Sequence, residues 1–158
     1  MSPTRITTGL VVAALVLGAC STDDTDTRAE TAGVPLLREH AEADDWVLDV
    51  EASTPTIEGA EGLVTLTVED GRVSGQGPCN RYHGEIHIDG DDVSISRLAS
   101  TMRACDPAAM DADGVWAAAL EDVDEGEVTD DEFGDVGRLM LTGPGVRLEF
   151  DQMTEDDE

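Results

Sequence analysis

Lysine is absent from this 158-residue chain, and nine arginines face 36 aspartates and glutamates, for a formal charge of −27. A surface so poor in positive charge excludes partners held through a phosphate backbone, because nucleic-acid binding requires a basic footprint. It also disfavours unassisted attraction to an anionic membrane. Aromatic residues are scarce, only Trp46, Tyr82, Trp116, Phe133 and Phe150, so a core must be built mainly from aliphatic side chains. No apolar run reaches the ~18 residues of an ordinary transmembrane helix. Also missing are a Gly-x-Ser-x-Gly elbow, a phosphate-binding loop and a dinucleotide fingerprint. The nearest approach, Gly75-Gln76-Gly77, lacks a third glycine and a following helix. The length fits one domain with a tail or two.

What is present begins with an export pattern. Arg5 precedes an apolar stretch from Gly9 to Leu17, which ends in Gly18-Ala19-Cys20 and then polar Ser21-Thr22-Asp23-Asp24. A basic start, a short apolar core and small residues form the layout of a secretory signal. The ending resembles the lipobox of bacterial lipoproteins, whose cysteine is acylated and becomes the mature N-terminus. The alternative is an ordinary cleaved signal in which Cys20 is incidental. Acyl chains would anchor the protein at roughly 0.8 kcal/mol for each buried methylene. Residues 1–19 are therefore read as a signal peptide and 20–45 as lipidated Cys20 with a disordered acidic tether. The tether's apolar residues are too scattered to bury much surface, and Leu36-Leu37 is expected to form a transient helical turn at most.

From Trp46 the pattern changes to period two, the mark of half-buried strands. Trp46, Leu48 and Val50 share one face, and Val64, Leu66 and Val68 share another. Asp70-Gly71 turns the chain into Arg72-Val73-Ser74. Tyr82, Ile86 and Ile88 then oppose His83, Glu85 and His87, and Asp89-Gly90 leads to Val93 and Ile95. Leu139 and Leu141, a Gly143-Pro144-Gly145 turn, and Val146, Leu148 and Phe150 complete the series. Short loops between neighbours predict antiparallel pairing. One segment breaks the rhythm: Asp106-Pro107 is a helix start. Ala108, Ala112, Val115, Trp116, Ala119, Leu120 and Val123 follow at helical spacing, away from Asp111, Asp113, Glu121 and Asp122, with Gly126 as the stop. The expected fold is α+β, a curved antiparallel and partly barrel-like sheet packed by a single helix.

With Cys20 assigned to lipid, Cys79 and Cys105 remain, and two leftover thiols in an exported protein most often pair. Closing that loop would contribute roughly 3 to 4 kcal/mol in the chain-entropy model. Two buried free thiols, or a Cys79 nucleophile with His83 as its base, stand as the alternatives.

The run Gly75-Gln76-Gly77-Pro78-Cys79-Asn80-Arg81-Tyr82-His83-Gly84 resembles the GCNxxxG signature of META domains, also called the HslJ-like family. The resemblance continues through Leu98-Ala99-Ser100-Thr101-Met102-Arg103-Ala104-Cys105 and the helix from Met110 to Leu120, and it spans about residues 46 to 151. Pro78 stands where the family usually has a small residue, and Asp113 where it usually has Glu, one methylene longer. The resemblance implies a sheet-plus-helix domain over 46–153, followed by an acidic tail at 154–158. It also implies an envelope lipoprotein of stress responses, with no established enzymatic activity. Physically, Gly75, Gly77 and Gly84 mark bends or close backbone approaches. Asn80 suits a turn held by its own side chain. Ser100 and Thr101 are placed to satisfy strand-end amides. The structural motif is thus Gly77, Asn80, Arg81, Gly84 and Thr101, with ligand recognition by Asn80-Arg81 and Thr101-Arg103 as the other reading.

No cofactor and no metal are expected. The nearest approach to a ligand set is His83, Glu85 and His87 on one strand face, which would suit Zn²⁺ or Cu²⁺. The acidic runs Glu121 to Glu125 and Asp130-Asp131-Glu132 lack an EF-hand pattern and fit diffuse cation binding or a solvated surface. The expectation is a monomeric, non-enzymatic lipoprotein on the extracytoplasmic face of the membrane, binding an unknown protein or lipid. The alternatives are a chaperone-like module with an apolar cavity for a lipid or peptide, or a metal-dependent hydrolase using His83, Glu85 and His87.

Overall fold

The fold is taken from a computed structural model, which describes residues 34–60, 62–130 and 136–153. The signal segment, Cys20, most of the tether, Asp131-Glu132 and the tail at 154–158 lie outside the described residues.

Alternation of side chains builds the sheet. Strand β1 (Asp45–Leu48) buries Trp46 and Leu48, and β2 (Thr65–Glu69) buries Leu66 and Val68. Strand β3 (Arg72–Gln76) buries Val73, and β4 (Arg81–Asp89) buries Tyr82, Ile86 and Ile88. Strand β5 (Asp92–Ser100) buries Val93 and Ile95, and β6 (Glu125–Asp130) follows the long helix. Strands β7 (Val136–Gly143) and β8 (Val146–Gln152) bury Leu139, Leu141, Val146, Leu148 and Phe150. Each pairs antiparallel with the next, and β8 returns to β1 through Val47↔Asp151 and Leu48↔Phe150, closing an eight-stranded barrel. Closure follows from short hairpins: Asp70 (φ 51°) and Gly71 (φ 73°) form a left-handed pair whose twist matches the strands they join.

The expected antiparallel α+β fold with a packed helix is present, and the sheet goes further than a curve by closing into a barrel, with β5 and β6 joined through one pair, Asp92↔Glu125. A second helix was not expected. Helix α1 (Val34–Ala43) occupies the end of the stretch read as disordered tether, and its Leu37 and Ala41, one turn apart, are buried in the barrel core. The Arg38 guanidinium donates to the Ile88 carbonyl, and the Trp46 indole N–H donates to the Ala41 carbonyl at 3.4 Å. Among the described residues the folded unit therefore already includes Val34–Ala43, ahead of Trp46. Leu37 and Ala41, set beside Arg38, Glu39, His40 and Glu42 in a ten-residue segment, give little local helical signal. They become decisive only because the barrel end offers them a place to bury.

Strand β6 was also missed. Its sequence, Glu-Gly-Glu-Val-Thr-Asp, has one large apolar residue, Val128. Gly126, read as a helix stop, is instead a buried strand residue. A Cβ there would lie 2.8 Å from Val93 Cγ2 and 3.1 Å from Leu37 Cδ2, so the missing side chain leaves the space that α1 fills.

Helix α2 (Pro107–Glu121) starts where expected: the Asp106 carboxylate accepts from the Ala108 N–H at 3.1 Å, with Pro107 in the first turn. It ends at Glu121, before Gly126, with the Asp122 N–H donating to the Ala118 carbonyl. Its buried face is Ala109, Ala112, Trp116, Ala119 and Leu120, rotated slightly from the expected stripe, so Ala108 and Val115 are exposed. Trp116 packs edge-on against Tyr82 and Phe150, with centroids 5.7 and 6.2 Å away.

Truncating Leu37→Ala is expected to lower unfolding free energy by about 2 kcal/mol or more in urea denaturation. A loss below about 0.5 kcal/mol, the range of an ordinary surface change, would mean that α1 contributes nothing to the core.

Candidate functional site

The residues singled out from sequence meet between the β3–β4 connection, the strand exit after β5, and α2. Gly77 N–H donates to the Asn80 carbonyl at 2.8 Å, closing a tight turn. A Cβ on Gly77 would fall 2.9 Å from that carbonyl and 3.0 Å from Asp113 Oδ1, which is why the position carries none. The turn presents its free amides to α2, where Asp113 Oδ1 accepts from the N–H groups of Cys79 at 3.0 Å and Asn80 at 3.1 Å. Asp113 Oδ2 accepts from Asn80 Nδ2 at 2.9 Å. The other end of the same amide, Asn80 Oδ1, accepts from Thr101 Oγ1 at 2.9 Å and from the Arg103 N–H at 2.7 Å. Thr101 Oγ1 in turn accepts from the Arg81 N–H at 3.2 Å, and the Thr101 N–H donates to the Arg81 carbonyl. One buried asparagine thus links three segments distant in sequence. Asp113 reaches the turn with the shorter of the two acidic side chains.

A covalent link lies beside this network: Cys79 and Cys105 form a disulfide with Cα atoms 6.0 Å apart. The sulfur of Cys79 is therefore not a nucleophile, and His83 points to the outside of the barrel. Burial pushes the Tyr82 hydroxyl far above its ordinary pKa, and it donates to the Thr65 carbonyl at 2.8 Å.

Gly84 lies beneath Leu98, whose Cδ2 would stand 2.8 Å from an added Cβ. Arg81 contributes its backbone to the network while the residue is exposed. His83, Glu85 and His87 do share the exposed face of β4. They are not brought together, because alternate strand residues stand roughly 7 Å apart and the outer two about 13 Å. Glu85 instead pairs with Arg97 at 2.9 Å. Among the described residues no three His, Cys, Asp or Glu side chains converge as a metal site. The hydrolase reading loses its constellation.

Two contributors were not recognised in the sequence. Asp113 was placed on the solvent side of α2, yet it lies four residues after Ala109 and three before Trp116, at the edge of the buried face. A carboxylate at such an edge is itself a signal, since it needs donors. Gln76 is the second: its amide donates to the carbonyls of Gly77 at 3.0 Å and Cys79 at 3.4 Å, bracing the turn. Nothing in the local sequence distinguishes it.

The fold is a closed antiparallel barrel whose helix is clasped to a cystine-linked turn. The META domain profile matches residues 39–155, and the chain belongs to the META domain family. No curated protein matches it by sequence. An NMR structure of a protein from Burkholderia xenovorans is similar, at 21% identity and a TM-score of 0.58, over 97% of this chain and 99% of that one. A second NMR structure is similar at 18% identity and a TM-score of 0.52, over 72% of this chain and 92% of that one. At these identities the likeness is one of fold.

Asp113→Ala strands three donors of the turn, and a stability loss of about 3 kcal/mol is expected in denaturant titration. Loss of less than about 1 kcal/mol would show that water replaces the carboxylate freely. Without reductant, Cys79 and Cys105 should resist alkylation in the denatured chain, and reducing them should cost about 3 kcal/mol.

Proposed function

We propose that this META-domain protein is exported, anchored to the extracytoplasmic face of the cell membrane through acylated Cys20, and acts by binding a partner in envelope stress tolerance. The reading holds no catalytic step. It is carried by one observation: the side chains of the family signature are spent on one another. Asn80, Asp113 and Thr101 satisfy backbone and side-chain groups of the fold, and Cys79 is bonded to Cys105. A nucleophile or general base needs a free, activated atom, and the signature supplies architecture instead. Export is supported by the Arg5, apolar-core and Gly18-Ala19-Cys20 pattern and by a disulfide, which persists in oxidising compartments. From Cys20 to Val34 the chain can reach roughly 45–50 Å when extended, enough to hold the domain clear of headgroups.

The barrel interior offers no support for an acyl-chain carrier. Trp46, Trp116, Phe150, Leu66, Leu139 and Leu148 are fully buried within it and occupy the space a lipid tail would need.

Cys20→Ser should move the protein from the membrane fraction to the soluble extracytoplasmic fraction. Retention of the variant on membranes would refute the lipid anchor.

A further inference from the structure

The barrel seam between β5 and β6 is barely sewn. Their register holds one pair, Asp92↔Glu125, flanked by the Val93 N–H to the Asp124 carbonyl and the Gly126 N–H to the Asp91 carbonyl. Strand β5 continues for several residues beyond this, paired only with β4 through Tyr82↔Ser100. A bulge, where Arg97 takes φ 54°, separates the two halves of that pairing. The Thr101 N–H donates toward β4, to the Arg81 carbonyl. Strand alternation therefore turns the backbone groups of Ser100 and Leu98 to the opposite side, and those of Ile95 likewise face away from β4. Among the described residues nothing pairs with that edge.

Across from the edge stands α2, and a crevice of about 120 Å³ opens between them, lined by Tyr82, Leu98, Trp116, Ala117, Leu120 and Glu121 among others. A strand edge on one side, a helix on the other and aromatic rings at the base form the layout that accepts an extended segment as an added strand. The volume suits one apolar side chain, since a cavity near 150 Å³ takes up a molecule the size of benzene. The charge of the occupant follows from the chain's −27 and from exposed Glu121 at the rim.

We propose that the crevice between β5 and α2 binds an extended basic peptide by strand addition, its backbone pairing with Leu98 and Ser100 and one apolar side chain entering above Tyr82 and Trp116. The inference rests on the binding role proposed above and assigns it a place and a ligand chemistry. Alternate residues of the added strand face the crevice and the solvent, so the peptide alternates apolar with basic side chains. The acidic surface steers it in, and strand pairing sets its direction and register.

The test uses the full chain made without lipid as Cys20→Ser, nitrogen-labelled for NMR. It is titrated with a short peptide alternating arginine and valine around a central leucine. Saturable shifts of the Leu98 and Ser100 amides and the Trp116 indole are expected. Ala117→Phe, which crowds the mouth from an exposed helix position, should weaken binding about tenfold or more. Methylating alternate peptide amides should do the same by removing strand bonds. Shifts confined to the acidic surface around Asp91, Glu125 and Glu127 would overturn the crevice while leaving a binding role intact. Absence of shifts at millimolar peptide would overturn it as well. So would shifts at the crevice produced by phosphatidylglycerol micelles and not by peptide, or by raising protein concentration alone. A protein that binds peptide here yet stays on membranes as Cys20→Ser would fail the anchor and keep the crevice.

Discussion

The carboxylate of Asp113 facing the amides of Cys79 and Asn80 is the contact on which the rest of the structure depends. It is an anion accepting hydrogen bonds from two backbone donors and a side-chain amide in a partly buried site, a setting where charge-assisted bonds are strong. Through Asn80 the same network reaches Thr101 and Arg103, so one helical side chain sets the β3–β4 turn, the exit from β5 and the start of the segment leading back to α2. The disulfide then fixes covalently what the amide has already aligned. With α2 held at that height, Trp116 falls between Tyr82 and Phe150, the rings that do most of the filling in a chain with few aromatics.

The barrel copes with its acidity and its edges by related means. Closure through β1 and β8 removes two strand edges that would otherwise invite association. Where the barrel is joined by a single pair, between β5 and β6, helices lie alongside: Leu37 of α1 presses against Gly126, and α2 faces the free edge of β5 across a crevice. Carboxylates on the outside are mostly solvated, but a few are tied down. Arg138 bridges Glu149 at 2.9 Å and Asp151 at 3.1 Å, and Arg147 meets Glu149 at 2.7 Å, so two of the nine arginines hold neighbouring acids on β8 together. Those acids keep the Arg138 guanidinium protonated more firmly than usual, led by its hydrogen bond to Asp151. Repulsion is thereby relieved where β7 and β8 must stay paired.

Because the signature residues are consumed by the domain's own architecture, the binding role proposed here falls to another part of its surface. The signature ties down one wall of the crevice at Thr101, next to the free backbone of Ser100 and Leu98. The rigidity produced by Asn80 and Asp113 would then serve recognition indirectly, by holding strand edge and helix at a fixed separation without touching the ligand. Preorganisation of that kind lowers the entropic cost of binding.

Period-two alternation along β1, β2, β4, β7 and β8, with Asp-Gly and Gly-Pro-Gly turns between, determined the antiparallel sheet. Asp106-Pro107 determined where α2 begins, because capping and hairpin chemistry are local and act within a few residues. The pairing of Cys79 with Cys105 was the favoured sequence reading, with free thiols left open, and the engagement of Thr101 with a strand-end amide was legible from its place before the helix. Local pattern could not reveal α1, a ten-residue segment, or β6, with Val128 as its one large apolar residue, because their order comes from Leu37 and Gly126 fitting one another. It also misplaced Asp113, since a small rotation of α2 decides whether that carboxylate meets solvent or the turn. It put His83, Glu85 and His87 on one face without saying how far apart they stand. Closure of the barrel, its thin β5–β6 seam and the convergence on Asn80 are contacts between residues distant in sequence. They exist only once the chain has folded, because burial and long-range hydrogen bonding, not local propensity, supply their free energy.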